Sequence, residues 1–387
     1  MKILHTSDWH LGRTLHGVDL HDHQRAFVDH LVELVGEHDV AAVLVSGDVY
    51  DRAIPAVETV RVLEDALARL SALTTVIITP GNHDSAVRLG FGATLMRDSV
   101  RILAAVADLH QPVLLDDGSV QVAVYGLPYL DPETARAALT TDPDVPPARS
   151  HEGVIGAAMR RIHADLATRS GVRSVVMAHA FVVGGEPSDS ERDLSVGGVQ
   201  SVPSAVFAGV DYVALGHLHG PQQVTVPGAT TLARYSGSPL AYSFSERSHH
   251  KSTVLLDIGA DGPPTVSLLD APVPRRLTEI RGDLAHVLSS ATDAHVDDWV
   301  KIVVTDAAYP ADMPARVRAR FGHLLHLTHE PVGGGVTRRA PVVDDSRTPP
   351  EVTADFLEFV TAQAPTDDEL TVVDRAYDVV RAKEHSA

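Results

Sequence analysis

Short apolar runs alternate with amphipathic stretches over the first 260 residues of the chain. The apolar runs are strand-sized and rich in Val, Ile and Leu, as in strands that are buried on both faces. The predicted strands are Ile3–Thr6, Ala41–Val45, Val76–Thr79, Val122–Tyr125, Ser174–Ala178 and Tyr212–Leu215. The predicted helices carry an apolar stripe at Phe27, Leu31, Leu34 and Val35 and similar patterns in Pro55–Leu70 and Gly153–Thr168. This alternation predicts an α/β domain.

A second unit is predicted after the proline-rich step Ala271–Arg276. The pattern there indicates a small β-α-β-α-β arrangement, made of Leu277–Arg281, Asp283–Ser290, Val300–Thr305, Pro314–Phe321 and Leu324–Leu327. The segment Arg338–Pro350 is typical of a linker. Beyond it, two helical stripes are separated by Pro365, with apolar positions at Val352, Phe356, Phe359, Val360, Val373, Ala376, Tyr377 and Val380.

Composition narrows the chemistry that the chain can perform. Its 387 residues are more than a single hydrophobic core usually contains, so two or three domains are expected. The absence of cysteine excludes disulfides, thiolate zinc sites and cysteine nucleophiles. His, Asp, Asn and Glu remain as possible metal ligands, and there are 22 histidines. A net charge of −19 argues against coating nucleic acid through bulk positive charge. No apolar run has the length of a signal peptide or a membrane span, so we expect a soluble cytoplasmic protein.

Clusters of polar residues follow five of the predicted strands. They are Asp8-Trp9-His10, the segment Gly47–Asp51 with Asp48, the segment Thr79–Asp84 with Asn82 and His83, the single His179, and His217-Leu218-His219. Taken alone, each has an ordinary structural interpretation as a turn, a capping residue or a satisfied histidine. Together they deliver oxygen and nitrogen ligands from five strand ends, which in a parallel sheet lie along one edge. Independent turns would rarely do this.

The candidate ligands are Asp8, His10, Asp48, Asn82, His179, His217 and His219. This set is too large for one ion with four to six ligands and suits two ions that share a bridging carboxylate. Paired divalent ions serve phosphoester hydrolysis because they neutralise the phosphate and activate water. The mixture of imidazole, carboxylate and amide groups suits Mn²⁺, Fe or Zn²⁺.

The order D-x-H, G-D-x-x-D, G-N-H-D, a lone H and G-H-x-H resembles the calcineurin-like metallophosphoesterases. More closely, ILHTSDWHLG, SGDVYD, GNHDS, DYVALGHLH and YSGSPLAYSF resemble the SbcD family of bacterial nuclease subunits. The resemblance implies a β-sandwich flanked by helices. It also implies that Asp8, His10, Asp48 and His219 hold one ion and that Asp48, Asn82, His179 and His217 hold the other. His83 would be the catalytic residue that assists the leaving group or stabilises the transition state.

The same resemblance implies three segments. Residues 1–270 would form the nuclease domain, residues 275–345 a small α+β capping domain, and residues 350–387 a helical segment that docks on an SbcC-type ATPase. The activity implied is Mn²⁺-dependent 3′→5′ exonuclease action on double-stranded DNA and endonuclease action on single strands and hairpins. A homodimer within a heterotetramer would be the working assembly. The apolar stripes of the tail have an alternative, which is packing against their own domain.

The remaining polar residues near the motifs have less specific interpretations. Asp51 and Asp84 would orient imidazoles or backbone, or would simply cap turns. Arg13, Arg52 and Arg88 would contact phosphates or lie solvated at the surface. A competing function is a small-molecule metallophosphoesterase that acts on nucleotides or phosphate esters, although such an enzyme would not need the second unit or the tail. A non-catalytic scaffold would require a broken ligand set, and the set is complete.

Overall fold

The computed structural model of the protein describes residues 1–191, 201–332, 348–361 and 364–384. The strands of the first 270 residues are β1 Lys2–Thr6, β2 Thr14–Leu15, β3 Val18–Asp19, β4 Ala42–Ser46, β5 Thr75–Thr79, β6 Val100–Ile102, β7 Val113–Asp116, β8 Gln121–Leu127, β9 Val172–His179, β10 Tyr212–Gly216, β11 Gln222–Val224, β12 Leu232–Tyr235, β13 Ser252–Asp257 and β14 Thr265–Asp270. The helices there are α1 His21–His38, α2 Val57–Ser71, α3 Ala86–Leu89, α4 Pro132–Leu139 and α5 His151–Leu166.

Two six-stranded sheets form the centre of this part. One sheet has the order β14-β13-β1-β4-β5-β6, and the other has the order β11-β12-β10-β9-β8-β7. In the first sheet β1, β4, β5 and β6 are parallel, and in the second β8, β9, β10 and β12 are parallel. A continuous apolar layer joins the sheets, with Leu44 and Ile77 on one side and Val175 and Met177 on the other. The result is a β-sandwich.

Helices cover the outer face of each sheet. The apolar stripe of α1, which includes Phe27 and Leu31, packs with α2 against the outward side chains of β4 and β5. On the opposite side, α5 buries Val154, Ala158 and Ile162 against β8, β9 and β10. The stripe positions predicted for these helices are therefore the ones that face the core.

The structure corrects one part of the sequence argument. The strands that precede the predicted ligands do not belong to a single sheet, because β1, β4 and β5 lie in the first sheet while β9 and β10 lie in the second. The core strands predicted from the apolar runs are confirmed, but β13 and β14 were not predicted. They pair antiparallel with β1 and with each other, and so extend the first sheet at its edge.

The second unit is a three-stranded parallel sheet with helices. Its elements are β15 Leu277–Gly282, α6 Leu284–Val287, β16 Trp299–Val304, α7 Met313–Arg320 and β17 Leu324–His329, with the strand order β15-β16-β17. The predicted β-α-β-α-β pattern is confirmed for these residues. An apolar cluster that includes Leu277 and Trp299 from the second unit and Leu20 and Leu240 from the first joins the two units. The second unit therefore rests directly on the sandwich.

The tail consists of two helices, α8 Pro349–Thr361 and α9 Asp367–Glu384, which contact each other. Most of the predicted linker Arg338–Pro350 lies outside the described residues, as do the end of the segment 275–345 and the side chains of Phe359, Val360 and Val380. Over the part of the chain that the structure describes, no helix has the length and apolar character to cross a membrane.

A pair of leucine substitutions tests the sandwich. Leu44→Ala removes a side chain that is 0% exposed between the sheets, and we expect it to lower the free energy of unfolding by about 2–5 kcal/mol through lost burial and the cavity that remains. Leu73→Ala is the control, because Leu73 is 55% exposed, and its effect should stay within about 0.5 kcal/mol. Urea denaturation followed by circular dichroism measures both, and equal effects would contradict this packing.

Candidate metal centre

The predicted ligands meet at one end of the sandwich, between the two sheets. The loops after β1, β4 and β5 approach from the first sheet, and the ends of β9 and β10 approach from the second. Six of the seven predicted ligands are buried and Asn82 is half-buried. A cluster of this many polar groups away from water requires compensating partners or a bound ion.

The backbone is forced into an unusual conformation at four of these positions. Asp8, His10 and Asp48 have φ values of 53°, 43° and 47°, and His217 has 111°. Positive φ costs free energy in any residue with a side chain, and 111° lies outside the small left-handed region that such residues tolerate. Strain of this kind is retained where the surrounding structure and function require a particular side-chain direction.

Asp48 lies at the middle of the cluster. Its Oδ2 is 3.4 Å from Nε2 of His179 and 3.5 Å from Nε2 of His10. Its Oδ1 accepts a hydrogen bond of 2.9 Å from the backbone N–H of His83. The approach of this carboxylate depends on Gly81, because a Cβ at that position would lie 2.1 Å from Oδ1. Asp48 therefore touches groups from three of the five predicted motifs.

Asp8 and His219 form one side of the cluster with His10. Nε2 of His10 and Nε2 of His219 are 3.1 Å apart, and the backbone N–H of His217 lies 3.1 Å from both oxygens of Asp8. Ligand atoms of Asp8, His10 and His219 all lie within 4.8 Å of one another. Two imidazole nitrogens facing each other beside a carboxylate match the donor set of a divalent cation.

His179 and Asn82 form the other side. Nδ1 of His179 donates to the carbonyl of Ser46 at 3.0 Å, which leaves Nε2 directed at Oδ1 of Asn82 at 2.9 Å. Gly47 allows this ring to approach, since a Cβ there would lie 2.1 Å from Nδ1 of His179. The ring of His217 packs edge-on to His179, with centroids 5.4 Å apart. The structure thus brings all seven predicted ligands into one cluster.

Burial and mutual charge set the protonation of these groups. Burial raises the pKa of Asp8 to about 7. Burial also opposes ionisation of Asp48, but the charge of His179 and its hydrogen bond outweigh it, so the pKa of Asp48 lies well below its usual range. Burial alone would lower the pKa of His179, yet Asp48 raises it to about 9. Burial lowers the pKa values of His10 and His217, which keeps these rings neutral and able to bind a metal.

His83 lies beside the cluster. Its Nδ1 donates to the carbonyl of Asp51 at 2.8 Å, and its Nε2 is 4.0 Å from Oδ2 of Asp48. Its ring meets that of His10 edge-on at a centroid distance of 4.7 Å. This orientation leaves Nε2 of His83 on the side of the site where the ligand atoms converge.

The two further acidic residues hold the loops that carry the ligands. Asp84 accepts hydrogen bonds from the backbone N–H groups of Val49, Tyr50 and Gly81, which ties the loop after β4 to the loop after β5. Asp51 lies 3.5 Å from Nδ1 of His10. These contacts agree with a role of Asp51 and Asp84 in orienting an imidazole and the backbone, rather than with a role in capping turns only.

The three arginines differ in their surroundings. Arg13 donates to the carbonyl of Ser190 at 2.6 Å and lies over the ring of Tyr242, so it is part of the packed structure. Arg88 donates to the carbonyl of Ala53. Arg52 has a side chain that is 84% exposed and lies near Asp51, beside the site. Among the three, Arg52 is therefore the most accessible to a phosphate.

Several residues that support the site were not predicted. Gln24 on α1 donates to the carbonyl of His10 and accepts from the N–H of Gly12. Glu191 accepts from the backbone N–H of His219 at 2.7 Å. Tyr242 donates to the carbonyl of Trp9. Tyr242 falls in the quoted block YSGSPLAYSF and could have been singled out there, whereas a lone Gln in a helix gives no local signal.

Comparison with known proteins agrees with this geometry. The model of the calcineurin-like phosphoesterase family matches residues 1–221, and that of the type 5 capsule protein repressor C-terminal domain matches residues 273–361. The chain is 34% identical over 263 residues to the SbcD subunit of the SbcCD nuclease of Bacillus subtilis (strain 168). That alignment covers 66% of this chain and 66% of the relative, which is just under two thirds of the relative's length.

Solved structures with a similar arrangement are more distant. The protein TT1561 of Thermus thermophilus matches with a TM-score of 0.40 and 15% identity, over 70% of this chain and 99% of that chain. A dimetal phosphatase from Danio rerio matches with a TM-score of 0.38 and 12% identity, over 70% of this chain and 99% of that chain.

The pKa values of the cluster predict how metal binding depends on pH. Asp8 and His179 have raised pKa values of about 7 and about 9, so both hold protons at pH 6, and a metal must displace them. We expect the affinity for Mn²⁺ to fall by about tenfold or more per pH unit from pH 8 to pH 6. Calorimetric titration in buffers of different ionisation enthalpy should show more protons released at pH 6 than at pH 8.

Asp48→Ala provides the baseline for that titration, because it removes the central carboxylate. An affinity for Mn²⁺ that does not change between pH 6 and pH 8 in the wild-type protein would contradict the role of Asp8 and His179 as ligands.

Proposed function

The chain belongs to the calcineurin-like phosphoesterase family, and on this premise we propose that it is a metal-dependent DNA nuclease subunit of the SbcD type. Its Asp and His cluster is a site for divalent metal. The observation that carries the proposal is the convergence of donors from five strand ends around the buried Asp48, with positive φ at four of the ligands, Asp8, His10, Asp48 and His217. The φ of His217, 111°, lies outside the left-handed region that ordinary turn residues such as Asp39 occupy.

We propose that the site holds two Mn²⁺ ions, which share Asp48. Asp8, His10, Asp48 and His219 would hold one ion, and Asp48, Asn82, His179 and His217 the other. The facing nitrogens of His10 and His219 and the facing atoms of His179 and Asn82 support this division. When bound, such ions neutralise phosphate oxygens and supply a hydroxide nucleophile at neutral pH.

His83 is proposed as the catalytic residue that is not a ligand. Its Nδ1–H is committed to the carbonyl of Asp51, so the proton that it can give or take is the one on Nε2. That nitrogen faces the cluster, and when the ring carries its second proton it can donate to a phosphate oxygen or to the leaving oxygen. The backbone N–H of His83 holds Asp48 at the same time, which fixes the ring relative to the site.

DNA is the proposed substrate in spite of the net charge of −19. Bound cations create positive potential where the phosphate must lie, so the whole chain need not be basic. The exposed Arg52 beside the site adds a mobile cation for the substrate backbone. A relative of 34% identity is named as a nuclease subunit, and this supports the substrate class. The activities proposed are 3′→5′ cleavage from duplex ends and cleavage within single strands and hairpins.

The rest of the chain is proposed to serve access and assembly. The unit within residues 275–345 would cap the active site, as its contact with the sandwich through Leu277 and Trp299 allows. The segment 350–387 would dock on an SbcC-type ATPase, because Phe356 and Val372 remain 59% and 68% exposed on the two tail helices. These exposed side chains are available to a partner, while Val352, Val373 and Tyr377 of the predicted stripes are half-buried.

We further propose that two copies associate through an apolar groove between α2 and α3. Ile54, Val60, Phe91 and Met96 line this groove, and Phe91 is 84% exposed. Exposed apolar side chains that line one groove mark interaction surfaces in soluble proteins. None of the seven predicted ligands lines this groove.

Substitutions at Asp48 and His83 test the nuclease assignment. Asp48→Ala should abolish Mn²⁺ binding and lower the rate of DNA degradation at least about 10²-fold, because the bridging ligand is lost. His83→Ala should retain the metal and lower kcat by about 10²–10⁴-fold, because only proton transfer is removed. Labelled duplexes and hairpins report the activity, and calorimetry reports the metal.

The exposed His110 supplies a matched control, since His110→Ala should keep full activity. Wild-type rates from Asp48→Ala would end the proposal. The competing function, hydrolysis of nucleotides or simple phosphate esters, would be favoured if such esters turn over with Mn²⁺ while oligonucleotides do not.

The proposed dimer is tested by Phe91→Asp, which places a charge in the groove between α2 and α3. We expect light scattering coupled to size-exclusion chromatography to show a dimer for the wild type and a monomer for the variant. Val145→Asp is the control, because Val145 is 74% exposed on a different surface, and it should remain dimeric. A monomeric wild type at micromolar concentration would rule out this interface in isolation.

A further inference from the structure

The ring of His219 is held on the side away from the metal cluster by a chain of side chains. Its Nδ1 lies 2.7 Å from Oγ of Ser190 and 3.3 Å from Oε1 of Glu246, and Oγ of Ser190 is hydrogen-bonded to the same Oε1. Oε2 of Glu246 is paired with the ammonium of Lys251. The chain His219–Ser190–Glu246–Lys251 therefore joins the proposed ligand to a buried ion pair.

All members of this chain are buried. Glu246 and Lys251 are 1% and 3% exposed, and Ser190 is 7% exposed. The three protons of the Lys251 ammonium go to Glu246, to Oγ of Ser238 at 2.9 Å and to the carbonyl of His219 at 2.9 Å. Since burying two charges is costly, an ion pair of this kind is better explained by a specific requirement than by stability.

The direction of each hydrogen bond follows from the chemistry of the groups. An ammonium can only donate and an ionised carboxylate can only accept, so Glu246 must accept from Ser190. The single hydroxyl proton of Ser190 is then committed to Glu246, and its oxygen can only accept from Nδ1 of His219. The proton of the neutral ring is thus placed on Nδ1, and Nε2 carries the lone pair that faces His10 at 3.1 Å.

The ring proton is placed on Nδ1 in a different way at the neighbouring histidines. His179 and His83 direct Nδ1 at backbone carbonyls, which can only accept and therefore impose the tautomer without further help. A hydroxyl, in contrast, can donate or accept. Ser190 alone would leave the tautomer of His219 undetermined, and an ionised acceptor beyond it removes the ambiguity.

We propose that Glu246 and Lys251 are positioning residues that act on Nδ1 of His219, directly and through Ser190, to hold the ring in the tautomer with its proton on Nδ1 and Nε2 free to bind metal. The inference rests on the metal site of the proposed function. It assigns a role to the buried pair in the block that follows YSGSPLAYSF, which none of the seven ligands explains.

The tautomer can be measured in the metal-free protein by ¹⁵N NMR of histidine-labelled samples, with His219→Asn identifying the signal. The wild type should show the proton of His219 on Nδ1. In Glu246→Gln, Lys251 retains the amide oxygen, the amide N–H₂ faces Ser190, and the hydroxyl must then donate to the ring. We therefore expect the proton to move to Nε2. A wild-type ring protonated on Nε2, or an unchanged tautomer in this variant, would overturn the proposal.

Glu246→Gln also takes an acceptor from the backbone N–H of Tyr242, so a second variant protects the test against misfolding. Ser190→Ala leaves the ion pair intact and leaves Oε1 of Glu246, 3.3 Å from Nδ1, as an acceptor for the ring, so the proton should stay on Nδ1, as it should in Ser190→Thr. A proton on Nε2 in Ser190→Ala would overturn the role of Glu246. Ser150→Ala is the control, because it removes a serine that caps α5 away from the site.

Calorimetry with Mn²⁺ provides the second measurement. We expect Glu246→Gln to weaken binding about 10–100-fold and Ser190→Ala to weaken it less, with Ser190→Thr and Ser150→Ala unchanged. Affinities within about twofold of the wild type for both chain variants would overturn the positioning role. If the wild type binds no Mn²⁺, the proposed function fails instead, and the NMR measurement still decides the tautomer.

Discussion

The structure depends on keeping one carboxylate, that of Asp48, ionised and buried between two sheets. Burial alone would protonate it, and the opposing effects are the nearby charge of His179, a backbone N–H from His83 and the imidazole of His10. These groups belong to loops that follow different strands, so the site exists only when both sheets are formed and aligned. The positive φ of Asp48 and the close approach of Gly81 to its carboxylate follow from this single requirement.

Local chemistry explains how much of this could be predicted from the sequence. Strands buried on both faces appear in the sequence as apolar runs, and polar residues directly after them mark the loops. The seven ligands and the second unit could therefore be predicted from the sequence. The assignment of each strand to one of the two sheets could not, because nothing local distinguishes β5 from β9 as neighbours of β4. Strand β13 pairs with β1, some 250 residues earlier in the chain, and the apolar pattern of β13 does not predict which strand it pairs with.

The supporting residues were harder to predict for a related reason. A metal ligand needs a particular side chain in a particular loop, and this requirement is visible as a short sequence motif. Gln24, Glu191 and Ser190 each contribute one hydrogen bond, and only the tertiary fold brings them to the site. Their identity is set by the polarity of the group that they meet, and that group is known only from the folded chain. Sequence reasoning therefore finds the donors of such a site sooner than the partners that orient them.

Three histidine rings at the site, those of His83, His179 and His219, show two ways to fix a tautomer through Nδ1. A backbone carbonyl needs no side chain and cannot be lost by substitution, but it requires the main chain to pass within hydrogen-bonding distance, as it does for His179 and His83. Around His219, the side chains of Glu191 and Lys251 bond the backbone N–H and carbonyl of His219 itself. Its Nδ1 meets a hydroxyl and the carboxylate beyond it, and the buried ion pair of that carboxylate is the consequence of this local geometry.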